Sequence, residues 1–182
     1  MIPFPNKKYQ VIYADPPWRY EHLAFGSKSR AIESHYPTML VENIKKIKIP
    51  CTENSVLFLW ATAPKLKEGI EVMEAWGFHY RTCMIWNKVK MGIGYWFRNQ
   101  HELLLVGLKG KFSPPKPKER IRSIFVETRG IHSEKPHRIR ELIKNWFPET
   151  KRLELFARHK ADGWDSWGNE ELREAYIQDK LI

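Results

Sequence analysis

Short apolar runs alternate along the chain with amphipathic helical patterns, and this alternation constrains the fold more than any other feature. The runs are rich in β-branched and aromatic residues and are too short for stable helices, so they predict strands. Strands separated by helices typically form a mainly parallel sheet with helices on both faces. We therefore expect an α/β fold. The predicted strands lie within residues 10–16, 55–62, 79–88, 101–110, 123–127 and 150–158.

Two helices are predicted from apolar side chains spaced three and four residues apart. Residues 62–78 place such side chains on one face and then reach Gly77, a typical helix-ending residue. Residues 133–148 do the same, with Pro136 near the start and Pro148 just past the end. The two apolar faces consist of Leu66, Ile70, Met73 and Trp76, and of Ile139, Leu142, Ile143 and Trp146.

The length of the chain predicts a single domain over residues 1–182, because this length supports one sizeable core but not two. Three segments fit neither the strand nor the helix pattern. They lie near residues 19–35, 89–100 and 110–120 and mix polar, basic and aromatic side chains, with glycine or proline as breakers. Long irregular segments in a compact domain are usually functional or disordered. We interpret these three as inserted loops that bind the substrate.

The charge balance favours a polyanionic partner. Lysine and arginine number 31 against 21 acids, which gives a formal net charge of +10. Such an excess favours nucleic acid, because phosphate contacts release counterions. Residues 109–122 hold six basic residues and one acid. This run is either an arm that contacts phosphate groups, which we favour, or a solvated loop. The arm's candidate contacts are Lys116, Lys118 and Arg120.

Nothing in the sequence indicates a membrane, a metal or a disulfide. No apolar run approaches the roughly 20 residues that span a bilayer, and residues 1–10 lack the order of a signal peptide. We therefore expect a cytoplasmic protein without membrane association. Cys51 and Cys83 are far apart and form no C-x-x-C pair, so neither a disulfide nor a zinc site is predicted.

The first predicted strand ends in an unusual tetrapeptide, Asp15, Pro16, Pro17 and Trp18. In an open α/β sheet, ligands bind beyond the carboxyl ends of the strands, where this sequence places Asp15. The prolines fix φ and remove two N–H donors, so we expect few local donors for the carbonyls of Asp15 and Pro16. A carboxylate and a rigid carbonyl beside an aromatic ring suit a planar ligand that carries an amino group.

Two interpretations of this tetrapeptide stay open on its residues alone. If the ligand's amino group is the N6 group of adenine, two fixed acceptors would hold its hydrogens. They would also draw electron density onto a nitrogen that is otherwise a poor nucleophile. Alternatively, the tetrapeptide is a strand-ending turn in which Asp15 is a cap and Trp18 packs in the core.

Beyond the tetrapeptide, the sequence resembles the MT-A70 family of N6-adenine methyltransferases over nearly its whole length. D-P-P-W matches the amino-group motif of the family, and other segments follow in the family's order. These segments are HYPTML, IPCTENSVLFLWAT, WGFHYRTCMIWNK, WFRNQHELLLVGLKG, RGIHSEKPHRIRELI and RLELFARHKADGWDSWGNE. The resemblance implies a Rossmann-like, S-adenosylmethionine-dependent methyltransferase fold. It also implies a permuted order, in which the catalytic motif precedes the cofactor strand.

The resemblance further implies roles for individual residues. Asp15 and the Pro16 carbonyl would bind the target amino group, while Pro17 and Trp18 would shape the pocket. Lys135 would reach the methionine carboxylate of the cofactor, and its place before a helix-opening proline suits an anion. The other cofactor-binding candidates are His132, Phe156, Arg158, Asn169 and Glu170.

Substrate contacts are expected from the second irregular segment and the strand after it. Aromatic side chains in a breaker-rich loop suit base stacking, which is worth roughly 1–3 kcal/mol per base. The candidates in this loop are Tyr95, Trp96, Arg98 and Asn99. By resemblance, Glu102 would be an acid that lines the active site.

We therefore expect methyl transfer from S-adenosylmethionine to the N6 amino group of adenine in nucleic acid, with the base flipped out or already unpaired. DNA is favoured over RNA, because the chain is short and small stand-alone members of the family resemble phage or prokaryotic DNA modifiers. The alternatives are RNA adenine methylation, a non-catalytic nucleic-acid-binding subunit and methylation of a protein amide. The acid at Asp15 makes the last the least favoured. A homodimer or a methyltransferase partner subunit is left open.

Overall fold

The computed structural model describes residues 4–20, 38–94, 96–130 and 134–168. Within these ranges, seven strands form one mixed sheet. The strands are β1 (Tyr9–Ala14), β2 (Cys51–Thr62), β3 (His79–Asn87), β4 (His101–Lys109), β5 (Ile124–Val126), β6 (Arg152–Leu155) and β7 (Asp165–Trp167). The helices are α1 (Val41–Lys45), α2 (Leu66–Ala75) and α3 (His137–Trp146).

The sheet order is β5-β3-β4-β2-β1-β6-β7, and β4 is the only described strand that runs antiparallel to its neighbours. The other four strand pairs are parallel. The predicted α/β fold with a mainly parallel sheet is confirmed, and all six predicted strands are present. The sequence patterns miss α1 and β7, because five and three residues are too few to show a periodicity.

Helices cover both faces of the sheet, as predicted, because side chains alternate along each strand. On one face, Ile12 of β1 belongs to an apolar cluster that includes Ile44 of α1 and Met73 of α2. On the other face, Val11 belongs to a second cluster that includes Ile143 of α3. β1 is therefore buried on both sides, and its position in the sheet is set by packing from two directions.

The strand register places one set of strand ends together. Ala14, at the end of β1, pairs with Leu59 of β2 and Leu155 of β6. Thr62, at the end of β2, pairs with Glu102 at the start of β4. The carboxyl ends of β1, β2, β3 and β6 therefore lie at one edge of the sheet, here named the carboxyl edge. Among the described residues, no helix is both long and apolar enough to cross a membrane.

Gly77 terminates helix α2, as the sequence predicts. Its φ of +80° lies in the left-handed region, its N–H donates to the Glu74 carbonyl at 2.8 Å, and the Phe78 N–H donates to the Met73 carbonyl at 3.0 Å. These two bonds form a Schellman motif, which satisfies carbonyls that the helix end leaves without a partner.

We expect Gly77→Ala to lower the free energy of unfolding by about 1–2 kcal/mol, because a Cβ disfavours the left-handed conformation. Chemical denaturation followed by circular dichroism would measure the change. Gly130→Ala is the matched control, because Gly130 has no left-handed φ and a Cβ there would meet nothing nearer than 3.6 Å. Equal stability of the two variants would contradict the strain argument.

Candidate functional site

Four charged side chains meet at the carboxyl edge. The Lys135 ammonium lies 2.8 Å from the Asp15 carboxylate and 3.4 Å from Glu102 Oε2. Lys88 Nζ donates to Glu102 Oε1 at 3.1 Å. These four side chains, here named the edge cluster, are 10–23% exposed. They form a chain of alternating charge in the order Asp15, Lys135, Glu102, Lys88.

Separate elements bring these groups together. Asp15 directly follows β1, Lys88 directly follows β3, and Glu102 is the second residue of β4. Lys135 precedes Pro136, the N-cap of α3, whose carbonyl accepts a bond from the Ile139 N–H at 3.1 Å. The family resemblance implies that Asp15 binds the target amino group and Lys135 the cofactor, and the structure places these two residues in direct contact.

Lys135 is held as a cation. Burial lowers the pKa of its ammonium, but the charges of Asp15 and Glu102 and the hydrogen bond to Asp15 raise it by more, so the net pKa lies above the ordinary value. The ammonium also lies 5.9 Å from the centroid of the Trp60 ring. Since a lysine has three N–H donors, Lys135 can hold its two carboxylates and still bind another anion.

The D-P-P-W turn corrects one expectation. The Trp18 N–H donates to the Pro16 carbonyl at 2.8 Å, and the Met39 N–H donates to the Pro17 carbonyl at 2.8 Å. The expectation that Pro16 has few local donors is therefore wrong, because Trp18 keeps its N–H and the turn folds it back. A carbonyl oxygen has two lone pairs, so this bond fixes the direction of the Pro16 carbonyl and leaves one acceptor site.

Trp18 anchors the turn to the sheet. Its side chain is 6% exposed, and its indole N–H donates to the Trp60 carbonyl at 3.1 Å. The Trp60 indole in turn donates to the Tyr13 hydroxyl at 2.6 Å. Trp18 is thus a core residue, as one of the two interpretations of the tetrapeptide expects, and its packing fixes the turn that carries Asp15.

We expect Trp18→Phe to lower the free energy of unfolding by about 1–3 kcal/mol, because it removes a buried hydrogen bond and part of a packed ring. Thermal or chemical denaturation would measure the change. Trp96→Phe is the matched control, because Trp96 is 92% exposed and its truncation should cost less than about 0.5 kcal/mol. Similar losses of unfolding free energy in both variants would contradict the anchoring role of Trp18.

The end of β6 contributes the candidate cofactor residues. Phe156 has a φ of +60°, and its ring packs edge-to-face against the Trp167 ring, with 5.7 Å between the ring centroids. Arg158 lies near enough to Lys135 that its charge acts to lower the pKa of that lysine. Gly168 passes close to this segment, since a Cβ there would lie 2.5 Å from the Ala157 nitrogen. The candidates His132, Asn169 and Glu170 lie outside the described residues.

The loop between β3 and β4 carries the candidate aromatic contacts. The Gly92 N–H donates to the Asn99 carbonyl at 2.8 Å, and Arg98 Nε donates to the Gly92 carbonyl at 3.1 Å, so these groups hold the loop closed. Trp96 is exposed to solvent. Tyr95 lies outside the described residues, as does most of the segment near 19–35.

The basic run is not brought to the edge cluster. Lys109, the last residue of β4, pairs with Ser55 in β2, so the chain enters the basic run at the sheet edge opposite Asp15. The run is then held near the end of α3, because the Trp146 indole donates to the Glu119 carbonyl at 2.9 Å. The three candidate contacts on it, Lys116, Lys118 and Arg120, are exposed.

Four further residues lie at the carboxyl edge that the sequence patterns do not single out: Lys88, Tyr20, Thr62 and Lys65. Lys88 is part of the edge cluster. The Tyr20 and Thr62 hydroxyl groups lie 2.6 Å apart, and Lys65 Nζ lies 5.5 Å from the Tyr20 ring centroid. Burial raises the pKa of Tyr20, and the charges of the edge cluster also act on it. The position of Thr62 at this edge follows from its pairing with Glu102, and the sequence alone does not reveal which strands pair.

The mainly parallel sheet, with helices on both faces and a site at its carboxyl edge, defines a Rossmann-like α/β protein. The MT-A70 family model matches residues 9–170, and the chain belongs to that family. The expected family resemblance is therefore confirmed.

The curated relatives are methyltransferases by name. The chain is 35% identical over 184 residues to the type II methyltransferase M.MunI of a Mycoplasma species, covering 91% of this chain and 79% of that protein. It is 31% identical to an MT-A70-like N(6)-adenosine-methyltransferase of Arabidopsis thaliana and 29% identical to the human N(6)-adenosine-methyltransferase catalytic subunit METTL3. It spans only 24% and 28% of those two proteins. The chain is accordingly a methyltransferase.

Proposed function

We propose that the protein transfers a methyl group from S-adenosylmethionine to the N6 amino group of adenine in DNA. The contact between Lys135 and Asp15 carries this proposal. It sets a buried cation, suited to the carboxylate of an amino-acid cofactor, beside a carboxylate that can accept a hydrogen bond from an amino group. Adenine in RNA is the second candidate substrate.

The chemistry of the carboxyl edge fits this cofactor, which when bound supplies an electrophilic methyl group on a sulfonium centre. Lys135 would bind the cofactor's carboxylate at the start of α3, where the helix N-terminus also favours an anion. Asp15 and Glu102 would supply carboxylate groups that favour a cationic sulfonium. Phe156 would pack beside the adenine ring of the cofactor, and Arg158 would contact the cofactor's ribose. By family resemblance, His132, Asn169 and Glu170 complete the set.

Asp15 and Pro16 would bind the target amino group. The Asp15 carboxylate and the free lone pair of the Pro16 carbonyl accept its two hydrogens, which turns the nitrogen lone pair toward the methyl group. Lys135 and Trp18 hold these two acceptors in place, through the bonds to the Asp15 carboxylate and the Pro16 carbonyl. Pro17 restricts the turn. After transfer, one proton leaves the methylated nitrogen for solvent.

The β3–β4 loop supplies the proposed contacts to the target nucleotide. Trp96 and Phe97 are 92% and 83% exposed, and exposed rings of this size suit stacking on bases. Tyr95 and Asn99 would join them, and Arg98 would contact phosphate. We assign Lys116, Lys118 and Arg120 to phosphate groups away from the target base, since their segment leaves the sheet at the opposite edge.

The proposal of DNA rests on similarity to the mycoplasma enzyme. That type II methyltransferase has the higher identity to the chain, and the chain covers 79% of it. The relatives whose names specify adenosine are matched over about a quarter of their length. Of the target nucleotide, the edge cluster would contact only the base, so it favours neither deoxyribose nor ribose.

Incubation with methyl-labelled S-adenosylmethionine and matched DNA and RNA oligonucleotides tests the function. Both single strands and duplexes should be offered, and the products digested to nucleosides. We expect labelled N6-methyldeoxyadenosine. Labelled N6-methyladenosine from RNA alone would transfer the assignment to RNA. Label in neither nucleoside, with substrates of varied sequence, would refute the proposed activity.

Asp15→Ala and Lys135→Ala should separate the two halves of the site. We expect Asp15→Ala to lower kcat at least about 100-fold, the usual effect of removing one preorganised contact to the reacting group. The affinity of this variant for the cofactor should change little, because Lys135 keeps its ion pair with Glu102. Lys135→Ala should weaken cofactor binding about tenfold or more, because it removes a charge-assisted bond. Turnover assays and calorimetric titration with S-adenosylmethionine measure the two effects.

Asp15→Asn is the control for shape, since it keeps an acceptor oxygen and removes the charge. It should retain more activity than Asp15→Ala and less than the unchanged protein. Near-normal turnover of Asp15→Ala would overturn the amino-group role of Asp15. Unchanged cofactor affinity of Lys135→Ala would overturn the assignment of Lys135 to the cofactor.

A further inference from the structure

Lys88 lies where the β3–β4 loop joins the edge cluster. Its backbone N–H donates to the Gln100 carbonyl at 2.8 Å, which closes the base of the loop. Its ammonium crosses to the next strand and donates to Glu102 Oε1 at 3.1 Å. Both side chains are largely buried, at 14% exposure for Lys88 and 10% for Glu102. This contact therefore joins the loop to the site through two partly desolvated charges.

Glu102 is shared by two cations on its two oxygens. Lys88 lies at 3.1 Å from Oε1 and Lys135 at 3.4 Å from Oε2. The Lys135 ammonium is closer to Asp15, at 2.8 Å. A buried carboxylate that loses one of its counter-ions draws more strongly on the other. Without Lys88, Glu102 would therefore pull Lys135 away from Asp15.

We propose that Lys88 is a positioning residue that neutralises Glu102 and thereby keeps Lys135 available for Asp15 and the cofactor. This inference rests on the proposed function of the same site. Lys88 acts through Glu102 and touches neither the target base nor the cofactor.

A double-mutant cycle between Lys88 and Glu102 tests this role. We expect Lys88→Gln to lower kcat about tenfold and to weaken cofactor binding about threefold, within the range of coupling between neighbouring charged groups. Lys88→Arg should restore most of both losses, since it keeps the charge. In the Glu102→Gln background, Lys88→Gln should change neither quantity further, because no carboxylate charge remains to neutralise.

Lys90→Gln is the matched control for charge. Lys90 is an exposed residue of the same loop, so its loss removes the same long-range attraction for phosphate without touching Glu102. The assays are methyl transfer to a DNA oligonucleotide, cofactor binding by calorimetry and DNA binding by fluorescence anisotropy, with thermal melting to confirm folding. Lys88→Gln and Lys90→Gln should weaken DNA binding alike, and only Lys88→Gln should lower kcat and cofactor affinity.

The outcomes distinguish this inference from the function on which it rests. Equal kcat in the Lys88→Gln and Lys90→Gln variants, or additive losses in the cycle with Glu102→Gln, would overturn the positioning role while the methyltransferase proposal stands. Absence of both cofactor binding and methyl transfer in the unchanged protein would overturn the proposed function and this inference together. If Lys88→Gln fails to fold, Lys88→Met takes its place, and full activity of that variant would refute the role, since a methionine side chain carries no charge.

Discussion

The ion pair between Lys135 and Asp15 joins residues that are 120 positions apart in the chain. Removing two charges from water costs several kcal/mol per ion, so such a pair contributes little to stability by itself. Its position depends instead on apolar packing that does not involve it. Val11 and Tyr13 of β1 belong to the same buried cluster as Ile139 and Ile143 of α3. That cluster fixes the strand end and the helix start on which the two charges lie.

The sheet order explains how the first strand places the D-P-P-W motif within the sheet rather than at its side. β1 lies between β2 and β6 and is parallel to both. The chain first adds strands on the β2 side and then returns to add β6 and β7 on the other side. Ligands in open α/β sheets bind where the direction of building reverses. The first strand therefore delivers Asp15 to the centre of the carboxyl edge, next to β6, the strand that Phe156 and Arg158 follow.

The sequence predicts features that depend on local pattern. The strands, the apolar face of α3 and the end of α2 at Gly77 follow from periodicity and backbone conformation, and all are present. Features that depend on tertiary pairing are not predictable in this way. The run HELLLVGLKG gives no sign that β4 is antiparallel, and this direction is what sends the basic run to the opposite edge. The Lys88 contact likewise appears only when β3 and β4 are paired.

The charges of this protein fall into two groups, those of the edge cluster and those outside it. The net charge is +10, yet the edge cluster holds two lysines and two acids, which sum to zero. A neutral cluster exerts little long-range attraction on phosphate, so binding of a polyanion must depend on the basic residues outside it. Within the cluster, short distances and burial strengthen each interaction. In the proposed function, attraction of nucleic acid would therefore depend mainly on the basic residues outside the cluster, and activation of the amino group on the residues within it.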